Sequence, residues 1–204
     1  MNPPVRWLYP AAFLCLLLSG VAGLVYQVAW ARYLALLLGH TSYAVVAVLV
    51  AFMGGLAAGN AWIGRHADRV PRPLALYAWL EIAIALYAFA FPAWFQLCQD
   101  GYLAVARHLE PGSPLLLALR FLVSMAAIFI PTTLMGGTLP VLTKLVTRSL
   151  GELRARVAGL YFINSAGAVL GVFIAGFWWV PAYGLDATVF GGAILNAVVG
   201  AIAL

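Results

Sequence analysis

The chain has 204 residues, of which 65% are apolar and only 8% charged, with a mean hydropathy of +1.02. That leaves too little polar surface to clothe a water-soluble globule, and the expected solvent is lipid. The net charge of +5 does not point to nucleic acid, because the basic residues sit in short segments between long apolar runs, where they act as topology signals.

A helical crossing takes about 20 mostly apolar residues. The expected architecture is therefore all-α, one polytopic transmembrane bundle of about six helices. The first run, 7–38, follows Arg6 and continues past the length of a signal h-region with no cleavage site, so it reads as a helix. A second run, 43–63, ends at the charged segment 64–73, and a third spans 74–95. Residues 96–114 are polar at both ends with an amphipathic middle, which predicts an outer loop carrying a short surface helix. The fourth run, 115–141, contains Pro131 and Pro140, and a kink is expected near Pro131. A second basic segment, 142–156, leads into a fifth run, 157–180. The turn Pro181 to Asp186 and a sixth run, 187–204, complete the chain. The ending in Ala201-Ile202-Ala203-Leu204, without a polar flank, reads as one domain or a fragment of a longer polypeptide.

Basic residues near membrane segments are retained in the cytoplasm. With the N-terminus inside, eight are inner (Arg6, Arg65, Arg69, Arg72, Lys144, Arg148, Arg154, Arg156) and three outer (Arg32, Arg107, Arg120). Both termini are thus expected in the cytoplasm of a bacterial inner-membrane, multi-pass protein. Tyr26, Trp30, Tyr33, Trp178, Trp179 and Tyr183 are suited to an outer aromatic belt. Arg120, near an outer helix end, is expected to snorkel.

Polar residues inside the apolar runs are few: Gln27, Asn60, Glu81, Arg120, Asn164 and Asn196. Glu81 lies about seven residues, or roughly 10 Å, into the third helix, too deep for an ionised carboxylate facing lipid. It must face the interior, be protonated or pair with a base. A cation or proton site and a hydrogen-bonded helix pin are both open to it. Glu81, Gln27, Asn60 and Asn164 form the expected substrate-binding set. Gly55 and Gly59 in helix two and Gly167 and Gly171 in helix five are expected to let helices pack closely. No catalytic residues, cofactor or metal site are expected. Cys15 and Cys98 have no metal or disulfide spacing, and no nucleotide loop, paired-histidine motif or nucleophile elbow occurs.

The segment Gly64-Arg65-His66-Ala67-Asp68-Arg69-Val70-Pro71-Arg72-Pro73-Leu74 resembles the signature loop of the major facilitator superfamily. Gly64, Asp68, Arg69 and Arg72 match it, and Pro71 stands where glycine is common. The spacing of Gly55, Gly59 and Gly64 recurs in Gly167, Gly171 and Gly176, as two three-helix inverted repeats would leave it. The expected fold thus resembles one half of a major facilitator transporter, a 3+3 inverted repeat.

More of the chain carries a resemblance. The segments Ser19 to Gln27 with Trp30 and Arg32, Gly54 to Gly59, Ala67-Asp68-Arg69, Pro131 to Pro140, and Asn164 to Gly171 are similar to the membrane domain of the bacterial fused major facilitator/spermidine synthase-like family. In that family a soluble aminopropyltransferase-like domain follows. None is present in these residues, so the resemblance implies no enzyme activity on this chain. It implies a module that binds or transports a small metabolite, with polyamine-type cations as the class indicated. The alternative is a non-transporting anchor or scaffold for an aminopropyltransferase-like domain. The expected partners are the lipid bilayer, a homodimer mate or second six-helix half, and such an enzyme domain.

Overall fold

The computed structural model describes residues 8–38, 42–67, 69–110, 112–150 and 153–204, with side chains at 10–38, 45–67, 69–110, 112–144 and 157–204. The described residues form helices α1 (Leu8–Leu38), α2 (Ser42–Ala67), α3 (Pro73–Ala106), α4 (Pro114–Leu150), α5 (Leu153–Ile174) and α6 (Val180–Ala203), with a π-helical turn at Ala175–Trp179 and no strand. Five helical stretches are long and apolar enough to cross a membrane: Pro10–Leu38, Val45–Ala67, Pro73–Ala106, Pro114–Lys144 and Val157–Ala203. Their outward faces carry large apolar side chains such as Leu36, Trp62, Leu86 and Phe173, which is the surface a helix shows to lipid rather than to water.

The fifth stretch, at 47 residues, would be about 70 Å long if straight, more than twice a bilayer core. It is not straight. Gly184 adopts φ 80° and ψ −177° inside α6, a conformation that a side chain would disfavour. The ring of Trp179 lies against Gly191, twelve residues on, where a continuous helix would separate them by about 18 Å. The chain therefore doubles back at Gly184, and the predicted Pro181-to-Asp186 turn is this one-glycine break. Only Val180 separates the π turn from Pro181, whose ring cannot join a regular helical ladder.

Other boundaries move outward. The predicted outer loop 96–114 is largely helix, since α3 runs on to Ala106; the link to α4 carries Gly112 at φ 85° and is capped by the Leu116 N–H donating to Ser113 Oγ. Tyr102 holds this extension. It is buried and accepts a 2.7 Å hydrogen bond from Arg120 Nε on α4, so Arg120 is tied to the bundle rather than snorkelling freely. At the other end α2 reaches Ala67 and α4 reaches Leu150, shortening both predicted cytoplasmic loops (64–73 and 142–156). Lys144 Nζ donates to the Ala67 carbonyl at 2.7 Å, satisfying a helix C-terminus there.

Helix α4 continues through Pro131. A proline at this position leaves the carbonyl four residues earlier, that of Ala127, without its helical N–H. Tyr87 of α3 supplies the replacement: its hydroxyl donates to the Ala127 carbonyl at 2.7 Å. Thr132 and Thr133 turn their hydroxyls back onto the Ile128 and Phe129 carbonyls. Prolines persist in lipid on this condition, that other groups take up what the ring frees.

The most extensive helix pairs are α2 with α4 and α1 with α5, followed by α3 with α6; α3 with α4 is matched by α1 with α6. This scheme maps onto itself when α1, α2 and α3 are exchanged for α4, α5 and α6. The correspondence reaches single residues. A side chain at Gly167 would strike the Leu17 carbonyl, and one at Gly171 the Val21 carbonyl. At the positions 112 residues away, a side chain at Gly55 would meet Thr132 and the Phe129 carbonyl, and one at Gly59 the Thr133 carbonyl. Backbone rests on backbone at Gly59, Gly167 and Gly171, and at Gly55 the Thr132 side chain comes first with the Phe129 carbonyl behind it; such close approach in lipid substitutes for the missing hydrophobic drive between helices.

Gly59→Ala should lower stability by about 1–3 kcal/mol, because a carbonyl cannot yield as a side chain would. Gly54→Ala, with nothing within 4 Å, should be neutral or stabilising by up to about 1 kcal/mol. Denaturation of both variants in detergent, followed by circular dichroism, compares them. Tyr87→Phe should cost about 1 kcal/mol in the same assay through the lost bond to Ala127.

Candidate functional site

A cavity of about 420 Å³ opens between α1, α2, α4 and α5, within the range of small-ligand sites. Gly20, Gly23 and Gly136 thin its walls, and Ser19, Asn60, Tyr161, Asn164 and Asn196 give it polar groups. Among the described residues no charged side chain lines it. Asn60 lies seven residues, about 10 Å, from the end of α2 at Ala67, and Glu81 eight residues, about 12 Å, from the start of α3. The cavity and the carboxyl group thus occupy the same depth, toward the bundle end that carries Arg65, Arg69, Arg72 and Lys144.

Behind the cavity wall runs a buried chain of hydrogen bonds. Tyr26 Oη on α1 donates to Asn196 Oδ1 on α6 at 2.7 Å, and Asn196 Nδ2 donates to Glu81 Oε2 on α3. Glu81 is fully buried. Its Oε1 has no hydrogen-bond partner, nor does Tyr77 Oη, one helical turn earlier on α3. The Ser19 and Tyr77 hydroxyls lie beside the carboxyl group and act on it electrostatically, without closing a hydrogen bond. Ser19 and Asn196 line the cavity and also touch Glu81 or neighbour it, so these two connect the carboxyl group with the open space.

Of the predicted binding set, Asn60 and Asn164 are on the cavity wall. Glu81 faces the bundle interior but stands one residue behind that wall. Gln27 is half-buried on α1 and is not among the lining residues. Asn196, the central link, was visible in the sequence as a carboxamide in the sixth apolar run but had nothing to mark it above the other polar residues. Tyr77 carried no signal, since a tyrosine in an apolar helix reads as packing, and Tyr26 was read as part of the aromatic belt.

In the signature loop, Gly64 packs against Pro140 of α4 at a distance that would leave a Cβ 3.4 Å from the ring. Arg69 and Arg72 are exposed, and the Arg69 N–H donates to the His66 carbonyl at 2.9 Å. Asp68 lies outside the described residues. The predicted aromatic belt divides. Trp178 and Tyr183 are exposed, whereas Tyr26, Trp30 and Tyr33 are buried. Tyr26 stacks on Trp30 at 5.0 Å, Trp30 packs on Phe91, and Tyr33 packs on Phe91 and Phe95 and donates to Asp186 Oδ1. Their period on α1 turns them inward to α3 and α6. Among the described residues no group of His, Cys, Asp and Glu could hold a metal ion, and Cys15 and Cys98 are free thiols.

Comparison with known protein families, curated proteins and solved structures finds no match. What the site does has to be argued from its groups.

Asn196→Leu strands both the Glu81 carboxyl group and the Tyr26 hydroxyl, and should cost about 2–3 kcal/mol. Combined with Glu81→Leu, the loss should fall short of the sum of the single losses by at least about 0.5 kcal/mol. A double-mutant cycle on detergent unfolding reads this coupling; strictly additive losses would show that the Asn196–Glu81 bond contributes nothing.

Proposed function

We propose that this chain is an inner-membrane module that binds and moves a small polar metabolite, of the amine or polyamine class, through the cavity between α1, α2, α4 and α5. One observation carries the reading: three carboxamides, Asn60, Asn164 and Asn196, converge on a glycine-walled space, and one of them is bonded to a buried carboxyl group. Carboxamide oxygens accept hydrogen bonds from ammonium groups without fixing them as tightly as a contacting carboxylate would, and Glu81 supplies negative charge from behind the wall. A site that must release its occupant is suited by that arrangement. A membrane anchor for an aminopropyltransferase-like domain would need none of these groups.

The topology that supports it has six crossings, counting the reversal at Gly184 as the sixth, with the basic end in the cytoplasm as the distribution of Lys and Arg favours. The self-matching helix pairing and the repeated glycine–carbonyl contacts support a 3+3 inverted repeat like one half of a major facilitator transporter. Asn60 is exposed and Asn164 half-exposed on one open side of the cavity. A carboxamide left against lipid is costly. A second copy of the chain, or a second six-helix unit, covering that side would bring both asparagines inside.

Uptake of labelled putrescine and spermidine into proteoliposomes tests the reading. Asn164→Leu and Asn60→Leu should each reduce uptake by about tenfold, the loss of about 1.4 kcal/mol of solute binding. Asn60→Cys should react with a membrane-impermeant thiol reagent and be protected by the solute. Uptake no greater than in empty liposomes across a panel of amines would refute it.

A further inference from the structure

We propose that Glu81 is an exchangeable proton site connected to the cavity through Asn196 and Ser19, and that its proton and a cationic solute in the cavity exclude one another. The coupling rests on the transport reading above; the proton site stands on its own geometry.

The carboxyl group is fully buried, and the groups acting on it are Ser19 of α1, Tyr77 of α3 and Asn196 of α6, none of them cationic. The titratable groups that feel its charge are Cys15 and Tyr26 of α1 and Tyr77 of α3. The core around Tyr77 is completed by Val141 and Leu142 of α4 and Leu160 of α5, which do not titrate, and the ammonium of Lys144 on α4 is on the Ala67 carbonyl at the helix end. A carboxylate held in this way has neutral donors as its sole support, and desolvation opposes its charge.

The two unpartnered oxygens, Glu81 Oε1 and Tyr77 Oη, are neighbours, and they equip the site for either protonation state. An ionised Oε1 can accept the Tyr77 O–H. A protonated Oε1 can donate to the Tyr77 or Ser19 oxygen. No other ligand is needed to complete either arrangement, so a proton fits better than a metal cation, which would require several more oxygens.

Asn196 transmits the state to the cavity. Its Nδ2 is committed to Glu81 and its Oδ1 to Tyr26, while the same carboxamide forms part of the wall. When Glu81 is ionised, Nδ2 is drawn to the carboxylate and a negative charge stands behind the wall, favouring an ammonium in front of it. When Glu81 is neutral, that attraction is lost. In the exchange the Glu81 O–H bond breaks, its proton leaves to water through the cavity, and one solute cation enters; the charge inside the membrane is unchanged for a monoamine and rises by one for a diamine such as putrescine. Reciprocity requires that protonation weaken solute binding by the factor with which solute binding weakens protonation.

The experiment uses the full chain in lipid nanodiscs, with Glu81→Gln as the near-isosteric variant that keeps an acceptor for Asn196. Infrared difference spectra recorded across a pH series should show a protonated carboxylic acid band that disappears as pH rises and is absent from the variant. Putrescine added below that transition should release about one proton per molecule bound, and its apparent affinity there should fall about tenfold for each unit by which pH is lowered; the variant should release none. Absence of a titrating carboxyl band, or a band that survives Glu81→Gln, overturns the proton site. Binding without proton release overturns the exclusion. A Glu81 band with no amine binding upholds the proton site and refutes the transport reading alone.

Discussion

Inside a bilayer no water is at hand to take up a polar group, so every carbonyl, hydroxyl and carboxyl group within the apolar stretches must find its partner in the protein. Much of this bundle's detail answers that demand. Pro131 frees the Ala127 carbonyl, and Tyr87 reaches across from α3 to take it. Thr132, Thr133 and Ser124 fold their hydroxyls onto carbonyls of their own helix. Lys144 closes the end of α2 at Ala67. Among the described residues three buried polar atoms are left without a partner, Trp30 Nε1, Tyr77 Oη and Glu81 Oε1, and the last two are neighbours. An adjoining pair of open oxygens behind a cavity wall is the arrangement that an exchangeable proton would use.

The same solvent explains the glycines. Lipid gives helices no hydrophobic reason to associate, and contact has to come from close packing. Gly55 and Gly59 admit α4 to α2, and Gly167 and Gly171 admit α1 to α5, with a carbonyl where a side chain would be at Gly59, Gly167 and Gly171 and the Thr132 side chain there at Gly55. These two pairs are also the most extensive in the bundle. The cavity opens between these same four helices, and the glycines on its wall are others, Gly20, Gly23 and Gly136.

What the sequence disclosed follows from how each feature is encoded. The apolar runs and the inward Glu81 were legible because burial of a charge in lipid has one outcome, and a single carboxylate in an apolar helix has to point inward. The glycine stripes were legible as spacing. Helix ends were not: α3 extends to Ala106 since Tyr102 is pinned by Arg120, a contact between residues 18 apart that no local pattern announces. Tyr26, Trp30 and Tyr33 misled for a related reason. An aromatic near a helix end suits the interface, yet these three pack on Phe91 and Phe95 of α3, which tertiary structure alone determines. Asn196 shows the limit most clearly. Six polar residues were visible in apolar runs, and which of them share a site depends on bringing positions 26, 81 and 196 together across three helices.

Carried beyond the glycines, the interval of 112 residues pairs the start of α3 at Pro73 with Leu185, just past the break at Gly184. It pairs Glu81 with Ala193, Asn196 with Ile84, Asn60 with Val172 and Asn164 with Phe52. Backbone packing repeats between the halves while the polar groups do not. Repetition of the close contacts is what a bundle without hydrophobic drive requires, and it would be kept in any such fold. A polar group in one half with an apolar residue at its counterpart has no role in that scheme. Glu81 and the three asparagines are therefore additions to the scaffold rather than parts of it, and the cost of burying Glu81 and Asn196 is borne for the cavity beside them.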